Sequence, residues 1–129
     1  MNISTRKKSF RWVLLRHTGD PYDSKGIHFD LLLEDTDFCR SWRLSEIPII
    51  DGSYVSALQI NPHRLDWLDI KEKSVSGNRG LATRVKKGIY FKSFQSIKDG
   101  FECLSVIWDE ISVELILDKH GCKILTQKK

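Results

Sequence analysis

The sequence predicts a mainly β protein, a compact antiparallel β-barrel of about eight short strands with small flanking helical segments. Three observations carry this. Apolar and polar residues alternate over short runs rich in Val, Ile, Leu, Phe and Trp, the period of a strand with two unlike faces. Gly, Asp, Pro and Asn clusters separate those runs, as turns require. From Phe101 onward, Phe101–Trp108, Ile111–Leu117 and Cys122–Thr126 are split by Asp109-Glu110 and by Asp118-Lys119-His120-Gly121, the pattern of a closing meander.

Each element follows in order. Phe10–Arg16 is short and apolar, suited to a buried strand, and His17 stands at its end. Thr18–Gly26 is a loop built on Gly19-Asp20-Pro21, Asp23-Ser24 and Gly26. Ile27–Glu34 is the central strand: Ile27, Phe29, Leu31 and Leu33 point to one face, and His28, Asp30, Leu32 and Glu34 to the other. Glu34-Asp35-Thr36-Asp37 turns the chain and Phe38–Leu44 returns as its hairpin partner. Tyr54–Ile60 reads as the next strand, ended by Asn61-Pro62-His63, because proline lacks the ladder donor and holds Asn61 extended. Leu65–Ile70 pairs onward, and Ser74–Gly80 is a glycine-bracketed loop. Leu81–Val85 and Ile89–Phe94 are strands around a Lys86-Lys87-Gly88 turn, followed by a helical turn around Ser96–Gly100. Trp12, Trp42 and Trp108 are expected in the core.

At 129 residues the chain fits one domain, with residues 1–9 as a flexible basic N-terminus and residues 10–127 as the folded unit. It is 40% hydrophobic and 29% charged, a globular balance, and its net charge of +4 leans modestly toward polyanionic partners. Cysteines 39, 103 and 122 are odd in number, widely spaced and form no C-x-x-C pair, so neither a disulfide framework nor a thiolate zinc site is indicated and reduced thiols fit best. No signal-like apolar stretch opens the chain and no window is long enough to span a bilayer, so a cytoplasmic, monomeric protein without a membrane partner is expected.

His28 and Asp30 share a strand face, and His17 closes the preceding run; two imidazoles and a carboxylate make a divalent-metal site. Glu34, on the same face, reads either as a partner orienting an imidazole or as a strand-end charge. His63 either caps a strand end or serves a site, and Trp67 is either core or the floor of a nucleotide site. Arg79, in the glycine-bracketed loop, is otherwise a solvated turn residue.

Taken together, His17, Ile27-His28-Phe29-Asp30-Leu31-Leu32-Leu33-Glu34, Arg40-Ser41-Trp42, His63-Arg64-Leu65-Asp66-Trp67 and Ser76-Gly77-Asn78-Arg79-Gly80 resemble, in order, the motifs of the 3′-phosphoesterase domain at the N-terminus of bacterial ligase D, and more closely its small stand-alone members. The resemblance runs from about Phe10 to Tyr90. It implies a β-barrel and a manganese-dependent enzyme that removes a terminal ribonucleoside and then the remaining 3′-phosphate in DNA repair. Zn2+ or another divalent ion suits the same ligands. By that resemblance His17, His28 and Asp30 hold the metal and His63 contacts the phosphate. Nucleic acid 3′ ends are the implied partners, with a DNA ligase or polymerase acting in trans.

The chain also departs from that pattern. Leu32 and Val55 stand where the family has arginines, Trp67 replaces a tyrosine, and the loop between His17 and His28 is longer. Arg79, ahead of Arg84, is the candidate for a relocated phosphate clamp. The alternative function is a weak or inactive module that keeps the barrel and the metal site but binds nucleic acid or a protein.

Overall fold

The computed structural model describes residues 9–91 and 101–127. Its strands are β1 (Phe10–Thr18), β2 (Ile27–Glu34), β3 (Cys39–Leu44), β4 (Ala57–His63), β5 (Glu72–Ser74), β6 (Leu81–Phe91), β7 (Glu102–Trp108), β8 (Ile111–Asp118) and β9 (Gly121–Thr126). A single 3-10 turn at Leu65–Leu68 is the helical content among the described residues. The expected N-terminal tail up to residue 8, the strand end at residues 92–94 and the helical turn around Ser96–Gly100 lie outside the described residues.

All ladders are antiparallel, in the order β4-β3-β2-β1-β6-β7-β8-β9, with β5 on the outer side of β6. The sheet curls but stays open. No ladder joins its end strands; residues between β3 and β4 lace the gap instead, through Val55–Cys122 and Ile50–Ile124 bridges and the Asp51 carboxylate on the Thr126 N–H at 2.9 Å. The expected mainly β fold of about eight antiparallel strands is thus present, with the compact barrel reduced to a curled half-barrel.

Alternation dictates where the core sits. Trp12, Leu14, Leu31, Leu33, Trp42 and Trp108 project inside the curl, where the Trp12 and Trp108 rings stack at 4.5 Å and the Trp12 indole N–H donates to the Ile107 carbonyl. All three tryptophans expected in the core are buried. Gly88 is what permits the stack, since a Cβ there would lie 2.7 Å from the Trp12 indole nitrogen. For that reason Lys86-Lys87-Gly88 is not the expected turn: β6 runs unbroken through it, with one bulge opposite Leu14 and Leu15.

The outer face of β1–β3 is also covered at one end. Val13, Leu15, Leu32, Cys39 and Leu68 form a second small core, with Leu65 and Trp67 packed against it. The expected pairing of Leu65–Ile70 is not found: Leu65–Leu68 makes a 3-10 turn that lids this core. The expected strand at Tyr54–Ile60 shifts to Ala57–His63 and includes Pro62. It can, because β4 is an edge strand and a bulge opposite Cys39 and Ser41 absorbs the residue without a donor. No helix among the described residues is long and apolar enough to cross a membrane.

Candidate metal centre

Register brings the site together. The β1–β2 ladder sets His17 directly opposite His28, and the β2–β3 ladder sets Asp30 opposite Arg43. His17, His28 and Asp30 are all buried, on the outer face beside the second core. His17 and Asp30 line one end of a cleft of about 470 Å³, with His28 behind them, and its other walls include Arg43, His63, Trp67 and Arg79.

Gly80 fixes one wall. Its backbone, at φ +93°, passes so close to the end of β1 that a Cβ would meet the Thr18 carbonyl oxygen at 2.0 Å. This approach carries the Arg79 carbonyl to 2.6 Å from His17 Nε2. A carbonyl can only accept, so His17 Nε2 carries the proton and Nδ1 carries the lone pair. The loop before β2 does the same for His28. Asp23 Oδ2 lies 2.9 Å from His28 Nδ1, which donates to it, so in the neutral ring Nε2 is the lone-pair nitrogen.

Those two lone-pair nitrogens are 3.0 Å apart, and Asp30 Oδ1 lies 3.5 Å from His28 Nε2. Asp30 Oδ1 is buried without a hydrogen bond. Three electron-pair donors thus converge within 4.8 Å, their outward-facing atoms already committed to a carbonyl and a carboxylate. Facing lone pairs repel, and a buried carboxylate oxygen without a donor is costly by about 1–3 kcal/mol or more. A shared cation relieves both. Ligands about 2.0–2.2 Å from one ion stand roughly 3 Å from each other, which the His17 Nδ1–His28 Nε2 and His28 Nε2–Asp30 Oδ1 spacings match, so the three residues form a cluster that could hold a divalent metal. Outer partners of this kind orient metal-bound imidazoles and raise their basicity.

A proton is the metal's competitor. Burial works against charging His28, but the Asp30 and Asp23 carboxylates outweigh it and raise its pKa above the ordinary histidine value. His63, the last residue of β4, goes the other way. Burial lowers its pKa, opposed by Asp30, so it is neutral at neutral pH. Ser41 Oγ donates to the Cys39 carbonyl at 3.0 Å, and its single proton being spent, it accepts from His63 Nδ1 at 2.8 Å. The basic nitrogen of His63 is then Nε2. The Trp67 ring meets the His63 ring edge-on at 6.1 Å, joining second core to cleft wall, with Lys73 Nζ over it at 5.6 Å.

Two expected site residues lie elsewhere. Glu34 is buried at the far end of β2, where it accepts the Arg11 N–H at 2.7 Å, and is not part of the cleft wall. Arg84 reaches toward the Leu68 carbonyl at 3.4 Å and does not line the cleft, leaving Arg79 as the one of the two candidates that does. Leu32 is wholly buried in the second core and Val55 is buried on the β9 seam, so neither position leaves room for a guanidinium. Asp23, Ser41 and Arg43 were not singled out from sequence. Arg43 was within reach: a hairpin turning at residues 35–38 puts position 43 opposite position 30. Asp23 carried no such signal, since its place depends on the fold of an irregular loop. No protein-family model and no curated protein matches the chain.

Proposed function

We propose that the cleft holds a divalent metal and binds the phosphate-bearing 3′ end of a nucleic acid, acting as a binding module with weak or no hydrolysis. The observation that carries this is the convergence of His17 Nδ1, His28 Nε2 and the buried Asp30 Oδ1, which accepts no hydrogen bond, with both outer imidazole nitrogens already engaged. Charge points to the ligand. Arg43 and Arg79 balance Asp20 and Asp30 in the cleft wall, and Asp23 stands charged behind His28, so a divalent ion would leave the site net positive and complementary to a phosphate anion. Trp67 and Lys73 beside it offer a surface for a base and its backbone. The motif order that resembles the ligase D phosphoesterase domain supports a 3′ end as the source of that phosphate. A ligase or polymerase in trans would then share the substrate, in the cytoplasm.

Binding is favoured over fast turnover because Leu32 and Val55 stand where that family places arginines, and both are packed in cores. A second reading, a metal-dependent 3′-phosphoesterase, draws on His63: neutral, oriented through Nδ1 by Ser41, and able to take a proton at Nε2. When bound, the metal supplies polarisation of a phosphoryl oxygen and a more acidic bound water.

The experiment is a calorimetric titration with Mn2+ and with Zn2+, followed by binding and cleavage assays on 5′-labelled oligonucleotides ending in 3′-phosphate, 3′-ribonucleotide or 3′-hydroxyl. Metal-dependent preference for the 3′-phosphate end without product supports the module. Metal-dependent release of phosphate that is lost in His63→Gln selects the enzyme. Absence of any metal binding refutes both.

A further inference from the structure

We infer that Arg43 is the anion-binding residue of this cleft, presented from β3 to take a phosphate held at the metal. It thereby supplies from the neighbouring strand the guanidinium that Leu32 cannot. This rests on the proposed metal-and-phosphate reading and adds the residue that reads the ligand.

Position is the first argument. Arg43 is the cross-strand partner of Asp30 in the β2–β3 ladder, so its side chain rises from the same outer face, next to the donor triad. Leu32, two residues along β2, sits opposite Ser41 and is sealed in the second core. The strand position nearest the triad that can present a charge to the cleft is therefore on β3.

The second argument is how loosely Arg43 is held. Its Nε is 3.8 Å from Asp30 Oδ1, ion-pair range but too long for a hydrogen bond, and 44% of its side chain is exposed. Arg40, on the same strand, shows what a structural arginine looks like here. It grips Glu102 with two hydrogen bonds of 2.8 and 3.3 Å and is 22% exposed. Arg43 has no such lock. A planar guanidinium with its donors directed into a cleft suits the two oxygens of a phosphate.

The third is the shared oxygen. Asp30 Oδ1 is contacted by Arg43 from one side and by His28 Nε2 from the other. A cation held by Asp30 Oδ1 would take up the charge that attracts Arg43 and leave the guanidinium available to an anion in the cleft. Anion binding through Arg43 is therefore coupled to metal occupancy. Arg79, across the cleft, is tethered by Nε to the Ser76 carbonyl at 2.9 Å and contributes charge from a fixed position.

The test uses the full chain, a 5′-fluorescein oligonucleotide ending in 3′-phosphate, and its 3′-hydroxyl counterpart, with and without Mn2+. Arg43→Met keeps the apolar stem; Arg43→Lys keeps the charge without the fork. Arg43→Met is expected to bind Mn2+ within about threefold of wild type and to lose tenfold or more of its affinity for the 3′-phosphate oligonucleotide, with Arg43→Lys in between. Circular dichroism and thermal melting establish that both variants fold. Unchanged oligonucleotide affinity in Arg43→Met overturns the assignment while leaving the metal-and-phosphate reading intact. Loss of Mn2+ binding in the variant also overturns it, since Arg43 would then act by building the metal site. A wild-type protein that binds Mn2+ but shows no preference for the 3′-phosphate end overturns both.

Discussion

Replacing Asp23 should cripple metal binding without touching a single metal ligand. Its Oδ2 accepts a hydrogen bond from His28 Nδ1–H at 2.9 Å, and that bond is what leaves Nε2 as the lone-pair nitrogen facing His17 and Asp30. The same carboxylate, 16% exposed, also ties its own loop by accepting the Lys25 N–H at 3.0 Å through Oδ1. The hydrogen bond from His28 holds the Asp23 carboxyl below its ordinary pKa, so at neutral pH it is the charged form that orients the ring. Removing an outer partner of this type costs on the order of 10–100-fold in metal affinity. Asp23→Ala should fall in that range. Asp23→Asn, which can still accept the Nδ1 proton through its amide oxygen but has no charge, should lose less, roughly severalfold. The assay is competition against a metal-chelating dye at pH 7.5, with Mn2+ and Zn2+ titrated into each variant. Melting of the metal-free Asp23→Ala protein should fall modestly, because the buried His28 Nδ1–H loses its acceptor at a cost of about 1–3 kcal/mol, so affinities are compared at a temperature where each variant is folded. Asp23→Ala binding metal as tightly as wild type would refute the account of how His28 is aimed.

Other consequences are open to direct measurement. Metal affinity should rise with pH until His28 has lost its proton, by about tenfold per unit below its raised pKa for each proton displaced, as read from dye competition across a pH series. In the metal-free protein the sign reverses. A raised folded-state pKa stabilises the fold below the ordinary histidine value and loses that contribution as pH rises through the raised one, so the melting advantage of wild type over His28→Gln should shrink with increasing pH. Tyr90 is buried and its hydroxyl donates to the Glu34 carbonyl, so Tyr90→Phe should lose that hydrogen bond and cost about 0.5–1.5 kcal/mol in urea unfolding. Burial pushes the Cys39 thiol up to about 11 and the Cys122 thiol up to about 12, whereas Cys103 is only partly buried; brief iodoacetamide treatment of the native protein at pH 8 should mark Cys103 first, as followed by peptide mass.

Much of the fold was legible because its signals are local. The β2–β3 hairpin and the β7–β9 meander follow from two-residue alternation and turn chemistry, and they form where those signals lie. The errors share a cause: a residue whose local meaning is overruled by a distant partner. Gly88 reads as a turn residue, yet it lies in mid-strand because the Trp12 ring needs the space. Pro62 reads as a strand terminator, yet β4 is an edge strand and keeps it beside a bulge. Leu65–Leu68 has the apolar content of a strand but turns to cover Leu32 and Leu15. Nothing local tells whether β4 and β9 will pair, and they do not.

The candidate site divides the same way. His28 and Asp30 were readable from alternation alone, and His17 from its place at the end of an apolar run, which the register then sets opposite His28. Glu34 shares their face but lies too far along β2 to join them, and Arg84 turns toward Leu68. What sequence could not convey is which atoms of the imidazoles face inward. That depends on a backbone carbonyl at position 79, brought in by the close passage of Gly80, and on a carboxylate at position 23 in an irregular loop.

The most direct measurement is a calorimetric Zn2+ and Mn2+ titration of wild type beside His28→Ala and Asp30→Asn, each first shown to be folded. One ion bound per chain in wild type, with at least a hundredfold loss in each variant, is the predicted result. A wild-type protein that takes up no divalent ion, or variants that bind as wild type does, would contradict the metal centre on which the functional account stands.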